Sequence, residues 1–311
     1  MTQHTAANRQ RIRQSRGDRV FGIVNGAVLA LIFIITLYPM LYVLSASFSD
    51  PNAVASGKMV LLPVQPSLQA YAYILQYNDI WTGYANTIFY TVVGTVINLA
   101  VTLPCAYAFS RRDFKGRSVL MPLFIVTMYF QGGLIPSYLN MRSLGLVDTR
   151  MALLILGAVS VYNLIVARTF FANSIPWELH EAAFLDGCSD FKLFFSIVLP
   201  LSAPITVVML LYYGIAHWNS YFNAYIYLRN RSLYPLQVFL REILTMGSFM
   251  SEISDLGAYS AEDIAYFTKQ AETANMMKYA IIVVSTLPML IIYPFLEKYF
   301  AKGVMIGSVK G

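Results

Sequence analysis

The sequence predicts an all-α polytopic membrane protein with six transmembrane helices, and three observations predict it. Of its 311 residues 57% are hydrophobic and only 12% are charged, where a soluble domain carries about 25% charged residues. Apolar runs recur at roughly the 20-residue length that a bilayer core of about 30 Å requires. Lysine and arginine, finally, gather in short segments between alternate runs, which is how cytoplasmic loops are marked.

Taken in order, residues 1–19 are a polar tail with Arg9, Arg11, Arg13, Arg16 and Arg19. The run Val20–Ser47 is too long for a signal-peptide core and lacks a small-residue cleavage pattern, so it reads as a retained first span. Gly22 and Gly26 form a GxxxG at its edge, a pattern that can mark close helix packing. The second span covers Tyr84–Ser110 and is followed by Arg111, Arg112, Lys115 and Arg117. A third covers Ser118–Pro136, with Gly132 and Gly133 near its far end. A fourth covers Met151–Ala172, with Arg168 close enough to the end to snorkel into headgroups. The fifth and sixth cover Val198–His217 and Met276–Phe300.

With the N-terminus inside, the cytoplasmic pieces hold five basic residues in the tail, four in 111–117, two at Arg168 and Lys192, and three at Lys298, Lys302 and Lys310. The other eight of the 22 are spread over longer outer loops, so both termini are expected in the cytoplasm. The domain plan is then a tail (1–19), a transmembrane domain (20–300) with an inner loop at 174–197 and an outer loop at 218–275, and a second tail (301–311). In the outer loop, 247–275 carries Glu252, Asp255, Glu262, Asp263 and Glu272 against Lys269. That segment cannot span, and a short helix is expected around Ala261–Ala274. It reads equally as a docking surface, a lid or a solvated loop.

Several chemistries are excluded. No GxxxxGK[ST] occurs, so the chain lacks a Walker-type phosphate loop. His4, His180 and His217 are too dispersed for a metal site. Cys105 and Cys188 make no disulfide framework. The basic residues sit at membrane loops and not on one soluble face, which argues against nucleic acid.

The stretch Ser174–Pro204, SIPWELHEAAFLDGCSDFKLFFSIVLPLSAP, reads as two short helices around a corner. Pro176 suits a helix start, and Glu178 and Glu181 lie near the positive end of its dipole. Gly187 ends that helix, and Ser189 can cap the second, with Asp190 in its first turn. The order Glu181-Ala182-Ala183, Asp186-Gly187, Ile197, Leu199-Pro200-Leu201 and Pro204 resembles the EAA loop of ABC-importer membrane subunits. The runs NTIFYTVVGT and AYAFSRRDFKGR resemble the same family. The segment MYFQGGLIPSYLNMRSLGLVDTR and the tail KYFAKGVMIGSVKG resemble its oligosaccharide, maltose-permease-like branch, in particular the group associated with acidic or pectin- and xylan-derived oligosaccharides.

The resemblance implies a type I importer membrane domain that is not itself an enzyme. It implies a second homologous permease in a heterodimer, two ATPase subunits that bind the ATP and Mg, and a lipid-anchored extracellular binding protein that delivers an oligosaccharide. No cofactor is then expected in this chain. It also implies that Glu181, Ala182, Ala183, Asp186 and Gly187 dock into the ATPase. His180 departs from the pattern, since many relatives carry a charged or other polar residue there.

For a substrate path, Thr87, Thr91, Gly94, Asn98 and Thr102 draw a polar and small stripe down the second span. The stripe reads equally as a wet wall or as interhelical packing. After the fifth span, HWNSYFNAYIYL sets Trp218, Asn219, Tyr221 and Asn223 among aromatics, a combination that can stack and hydrogen-bond a sugar or form an interfacial belt. The Trp218-Asn219 pair resembles a position of oligosaccharide importers. Two rival readings fare worse: an ion-coupled secondary transporter needs carboxylates in its spans, which scarcely contain any, and a membrane-embedded glycosyl-transferring enzyme needs clustered carboxylates or a metal site near one interface, where only Asp186 and Asp190 come near each other and the loop helices explain both.

Overall fold

The computed structural model describes residues 15–252 and 260–308, and among these no strand occurs. The chain divides into two compact units, residues 1–68 and 69–311. In the first, helix α1 (Arg16–Ser47) starts on a capping box between Ser15 and Asp18, which satisfies two of the free N–H groups of a helix start. An added Cβ at Gly22 or Gly26 would meet nothing within 4 Å. A one-turn helix α2 (Pro51–Ala55) follows, capped by Asp50. Ser49 Oγ accepts from the Val64 N–H at 3.1 Å and folds the segment back.

The second unit contains α3 (Gln69–Gln76), α4 (Asn78–Ser110), α5 (Arg117–Tyr129), α6 (Leu134–Ser143), α7 (Arg150–Ile155), α8 (Val161–Ser174), α9 (Trp177–Leu185), α10 (Asp190–Leu193), α11 (Leu199–Leu201), α12 (Ala203–Trp218), α13 (Phe222–Tyr227), α14 (Leu236–Glu252) and α15 (Ala261–Ser308). Helix α4 is the mast, and α8, α12, α14 and α7 pack around it. At 33 residues it is about 50 Å long, so its two ends lie well apart.

The expected spans are present as apolar segments, but three are broken. Among the described residues, only α1, α4 and the stretch Thr268–Phe295 of α15 are long enough and apolar enough to cross a membrane as single helices. The third span bends by 112° between α5 and α6, where Gly133 takes φ +85°. The fifth bends by 83° between the Asp190–Leu201 stretch and α12. Pro200 lacks the N–H that the Ser196 carbonyl would accept and its ring crowds that carbonyl. The turn before it, Phe194–Val198, is widened into a π-helix.

The fourth span is interrupted between α7 and α8, with Gly157 at φ +80°. A break at membrane depth exposes carbonyls that lipid cannot satisfy. Asn98 of α4 supplies the missing donors, its Nδ2 reaching the carbonyls of Gly157 at 3.1 Å and Ala158 at 2.8 Å. The sixth span differs in the other direction. The short helix expected at Ala261–Ala274 is the first part of α15, which runs unbroken for 48 residues and continues to Ser308. Of the acidic segment, residues 253–259 lie outside the described residues.

The polar stripe on α4 is filled by interhelical bonds. Thr87 Oγ1 accepts from the Leu236 N–H at 2.8 Å. Thr102 Oγ1 meets the Tyr213 hydroxyl at 2.8 Å, and that hydroxyl accepts from the Ser160 N–H. At Gly94 an added Cβ would lie 2.5 Å from the His217 ring, so only glycine lets α4 and α12 approach this closely.

Candidate functional site: a two-sided loop helix

The loop helix is built by its own sequence. Pro176, at φ −62°, is the N-cap, so α9 starts one residue later than a proline at the first helical position would place it. At the other end Gly187 takes φ +70°. Its N–H bonds the Phe184 carbonyl at 3.0 Å and the Cys188 N–H bonds the Ala183 carbonyl at 2.9 Å. This pair of bonds is the Schellman motif. Ser189 Oγ then accepts from the Lys192 N–H and starts α10.

The inner face of α9 is fixed by stacked rings. His180 is buried and lies between Trp177, with centroids 5.0 Å apart at 17°, and Tyr107 of α4, 5.8 Å away at 12°. Its Nδ1 faces the Pro176 carbonyl at 3.3 Å, while Nε2 meets no partner. The histidine that departs from the resemblance is thus a packing element of the loop. Tyr107 also packs on Phe171 and Phe194, within a core cluster that joins α4, α8, the loop and α12.

An arginine ties the loop to the mast. Arg111, the C-cap of α4, donates to Asp190 at 2.6 Å and through Nε to Asp113 at 2.9 Å. Its guanidinium lies 5.4 Å from the Phe184 ring and 5.9 Å from that of Tyr107, and its side chain is only 10% exposed. The guanidinium holds the Asp113 carboxyl below the ordinary carboxylate range. Arg168 braces the same corner through the Phe109 carbonyl. Beside it lies a cavity of about 610 Å³, lined by Pro104, Tyr107, Arg111, Phe191, Phe194 and Phe195.

The outer face of α9 is open. Glu181, Ala182, Asp186 and Gly187 are exposed, and Leu185 is 89% exposed. Ala183 differs from the sequence expectation that the whole Glu-Ala-Ala turn presents outward. It is buried at 6% and packs in the core cluster, because the inner stripe of α9 is His180 and Ala183. The arrangement offers a short acidic and apolar surface on a rigid base. No group of three or more metal-ligating side chains occurs among the described residues.

The residues expected along a substrate path do not line the cavity beside Arg111. Asn98 is fully buried and its Oδ1 accepts from His217 Nε2 at 2.7 Å. Trp218 is buried, with its indole N–H on the Ser285 carbonyl at 3.0 Å. Asn219 is exposed and Asn223 half-buried. Tyr221 is exposed, with the Arg241 guanidinium 4.9 Å from its ring. Sequence reasoning missed Arg111, Tyr107 and Arg241. The only signal for the first was an arginine at the end of a span with aspartates nearby.

Comparison with known proteins accounts for this architecture. The family described as "Binding-protein-dependent transport system inner membrane component" matches residues 80–306. The polygalacturonan/rhamnogalacturonan transport system permease protein YtcP of Bacillus subtilis (strain 168) is 40% identical over 94% of this chain and 99% of its own. Protein LplC of the same organism is 38% identical over 96% and 98%. Among solved structures, that of a bacterial ABC transporter involved in the import of the acidic polysaccharide alginate contains a chain 39% identical to this one. It matches with a TM-score of 0.80 over 93% of this chain and 99% of that chain. A phosphate loop is absent from the sequence, and ATP hydrolysis in such systems belongs to partner ATPases. The chain therefore belongs to the binding-protein-dependent transport system inner membrane component family: it is a multi-pass cell-membrane permease subunit of an ABC importer, with the membrane domain of a type I importer, and works with a partner permease, ATPases and a substrate-binding protein.

Proposed function

We propose that this subunit moves an oligosaccharide inward, with α9 as the element that couples it to ATP. The observation that carries the coupling is the two-sided build of α9: His180 and Ala183 locked inward, Glu181, Ala182 and Leu185 turned outward. In this reading the 174–197 loop and both termini are cytoplasmic, consistent with the lysine and arginine bias, and 218–275 is the outer loop. The basic tail 1–19 and the tail 301–311 flank a transmembrane domain at 20–300. A second homologous permease completes a heterodimer. Two ATPase subunits bind ATP and Mg, and a lipid-anchored extracellular protein delivers the cargo. The oligosaccharide assignment draws on the names of the similar permeases.

Nucleotide-driven closure of the ATPases pulls the two loop helices together and turns the bundle from inward-open to outward-open. ATP drives this only by favouring the closed state. Ala182 leaves room for close docking, Glu181 and Asp186 supply charge at the contact, and Ala183 and Gly187 set the shape of the helix. Asn98, Trp218, Asn219, Tyr221 and Asn223 take part in the path, the first two by holding helices together. The test is Ala182→Trp in the assembled importer, measured for uptake and ATPase activity. Membrane insertion at the normal level with hydrolysis no longer stimulated by cargo supports the reading. Normal import by this variant removes it.

A further inference from the structure

The cavity of about 610 Å³ beside Arg111 runs inward along α4 from the end of that span. Ala100, Pro104 and Ala108 line it from α4, at four-residue steps that share one helix face. Phe191 of α10 and Phe194 and Phe195 of the π-turn supply rings to the same space. Two alanines and a proline leave a trough that larger side chains would fill. It is open along its length: Ala100 is exposed, and Phe191 and Phe195 are 79% and 55% exposed. Ala100 lies eleven residues before Arg111, about 16 Å deeper along the helix axis. A soluble subunit docked on the loop does not reach that depth.

The mouth of the trough is basic. Residues 111–117 and 190–192 carry Arg111, Arg112, Lys115, Arg117 and Lys192 against Asp113 and Asp190. Arg111 engages both aspartates, and Arg117 donates to the Arg111 carbonyl. Arg112, Lys115 and Lys192 are exposed, and each is next in sequence to a residue that lines the cavity.

Apolar space stays dry, and an empty trough forfeits the dispersion contacts of its walls. At membrane depth a lipid chain or another protein's side chains fill it. The mouth separates the two. Basic residues beside a span attract anionic headgroups, whereas a second permease, whose loops on this side are basic by the same rule, meets like charge here.

We propose that this cavity holds an acyl chain of an anionic phospholipid, with the phosphate at Arg112, Lys115 and Lys192. The proposal rests on the membrane location of the chain and is independent of its cargo. The complete importer is reconstituted in liposomes that mix phosphatidylcholine with phosphatidylglycerol, with a benzophenone amino acid in place of Phe195. Irradiation couples that side chain to whatever fills the cavity, and mass spectrometry identifies the product.

A lipid adduct is expected, richer in phosphatidylglycerol than the membrane as a whole. Each of Arg112→Gln, Lys115→Gln and Lys192→Gln should lower that enrichment about fivefold, the effect of one basic residue near an anionic surface. Absence of a lipid adduct, an adduct with the composition of the bulk membrane, or an enrichment that none of the three variants lowers overturns the site. A cross-link to the second permease or to an ATPase subunit overturns it as well. Where the Phe195 replacement does not assemble, the wild-type importer with phosphatidylglycerol carrying a photoreactive chain decides. Labelling of residues 191–195 should then be competed by unlabelled phosphatidylglycerol and not by phosphatidylcholine. No labelling there, or equal competition by the two lipids, overturns the site.

Discussion

The two ends of α4 carry the same motif in two environments. At the C-terminal end Arg111 bridges Asp113 and Asp190 over the rings of Tyr107 and Phe184. At the N-terminal end Arg231 bridges Asp79 and Glu242 over the ring of Phe239. The guanidiniums differ in their access to water, the Arg111 side chain being 10% exposed and that of Arg231 49%, although the carboxylates that Arg111 meets are themselves open, at 47% and 63%. A shielded guanidinium with charged hydrogen bonds contributes more than an open pair that solvent and salt screen. One end is therefore a clamp and the other a rim, although the residue types are alike.

The largest expected effect tests the clamp. Arg111→Ala should lower stability by about 2 kcal/mol, the scale of hydrogen bonds to charged groups. It should also expose α9 to protease in membrane vesicles, and an unchanged cleavage pattern would put the two ends on the same footing. Next comes the corner that the clamp holds. Gly187→Ala forces a Cβ into a left-handed conformation at φ +70°, a strain of about 1–2 kcal/mol readable as a fall in thermal midpoint. No atom lies within 4 Å of the added Cβ, so the loss is conformational and not steric.

Arg231→Ala should change stability by less than about 1 kcal/mol, and its wild-type pair should weaken in 0.5 M salt while the Arg111 clamp persists. Equal salt sensitivity at both ends would erase the distinction. The smallest effect is in acid. Asp148 Oδ1 accepts from the N–H groups of Arg229 and Asn230, both at 2.8 Å, and these bonds lower its pKa. A carboxyl lowered in the folded state stabilises above its unfolded pKa and loses that contribution as pH falls through the folded value. Wild type should therefore lose a small increment below about pH 4 that Asp148→Asn lacks, as followed by thermal midpoints across pH.

How much of this was legible depended on how local each signal was. The α9 corner was readable because its stop and start, Gly187 and Ser189, lie within a few residues of the backbone groups they satisfy. The broken spans were not. Gly157 and Gly133 look tolerable inside apolar runs, and the donor that stabilises the first break is Asn98, about sixty residues earlier. The polar stripe on α4 announced that it needed partners but not which ones, since Leu236 and Tyr213 are remote in sequence. The junction at Ala274 was misplaced because nothing there caps a helix, and α15 simply continues. Of the candidate site, the loop residues were legible as a string. Arg111 and the His180 stack were not, because their meaning depends on Tyr107 of another helix.

The glycine at position 94 sets a mechanical limit. There is no room for even a methyl group against His217, and Asn98 bonds the same imidazole one turn on. Any side chain at 94 would have to pry α4 and α12 apart at this level, so the depth at which the two helices meet rests on one missing carbon.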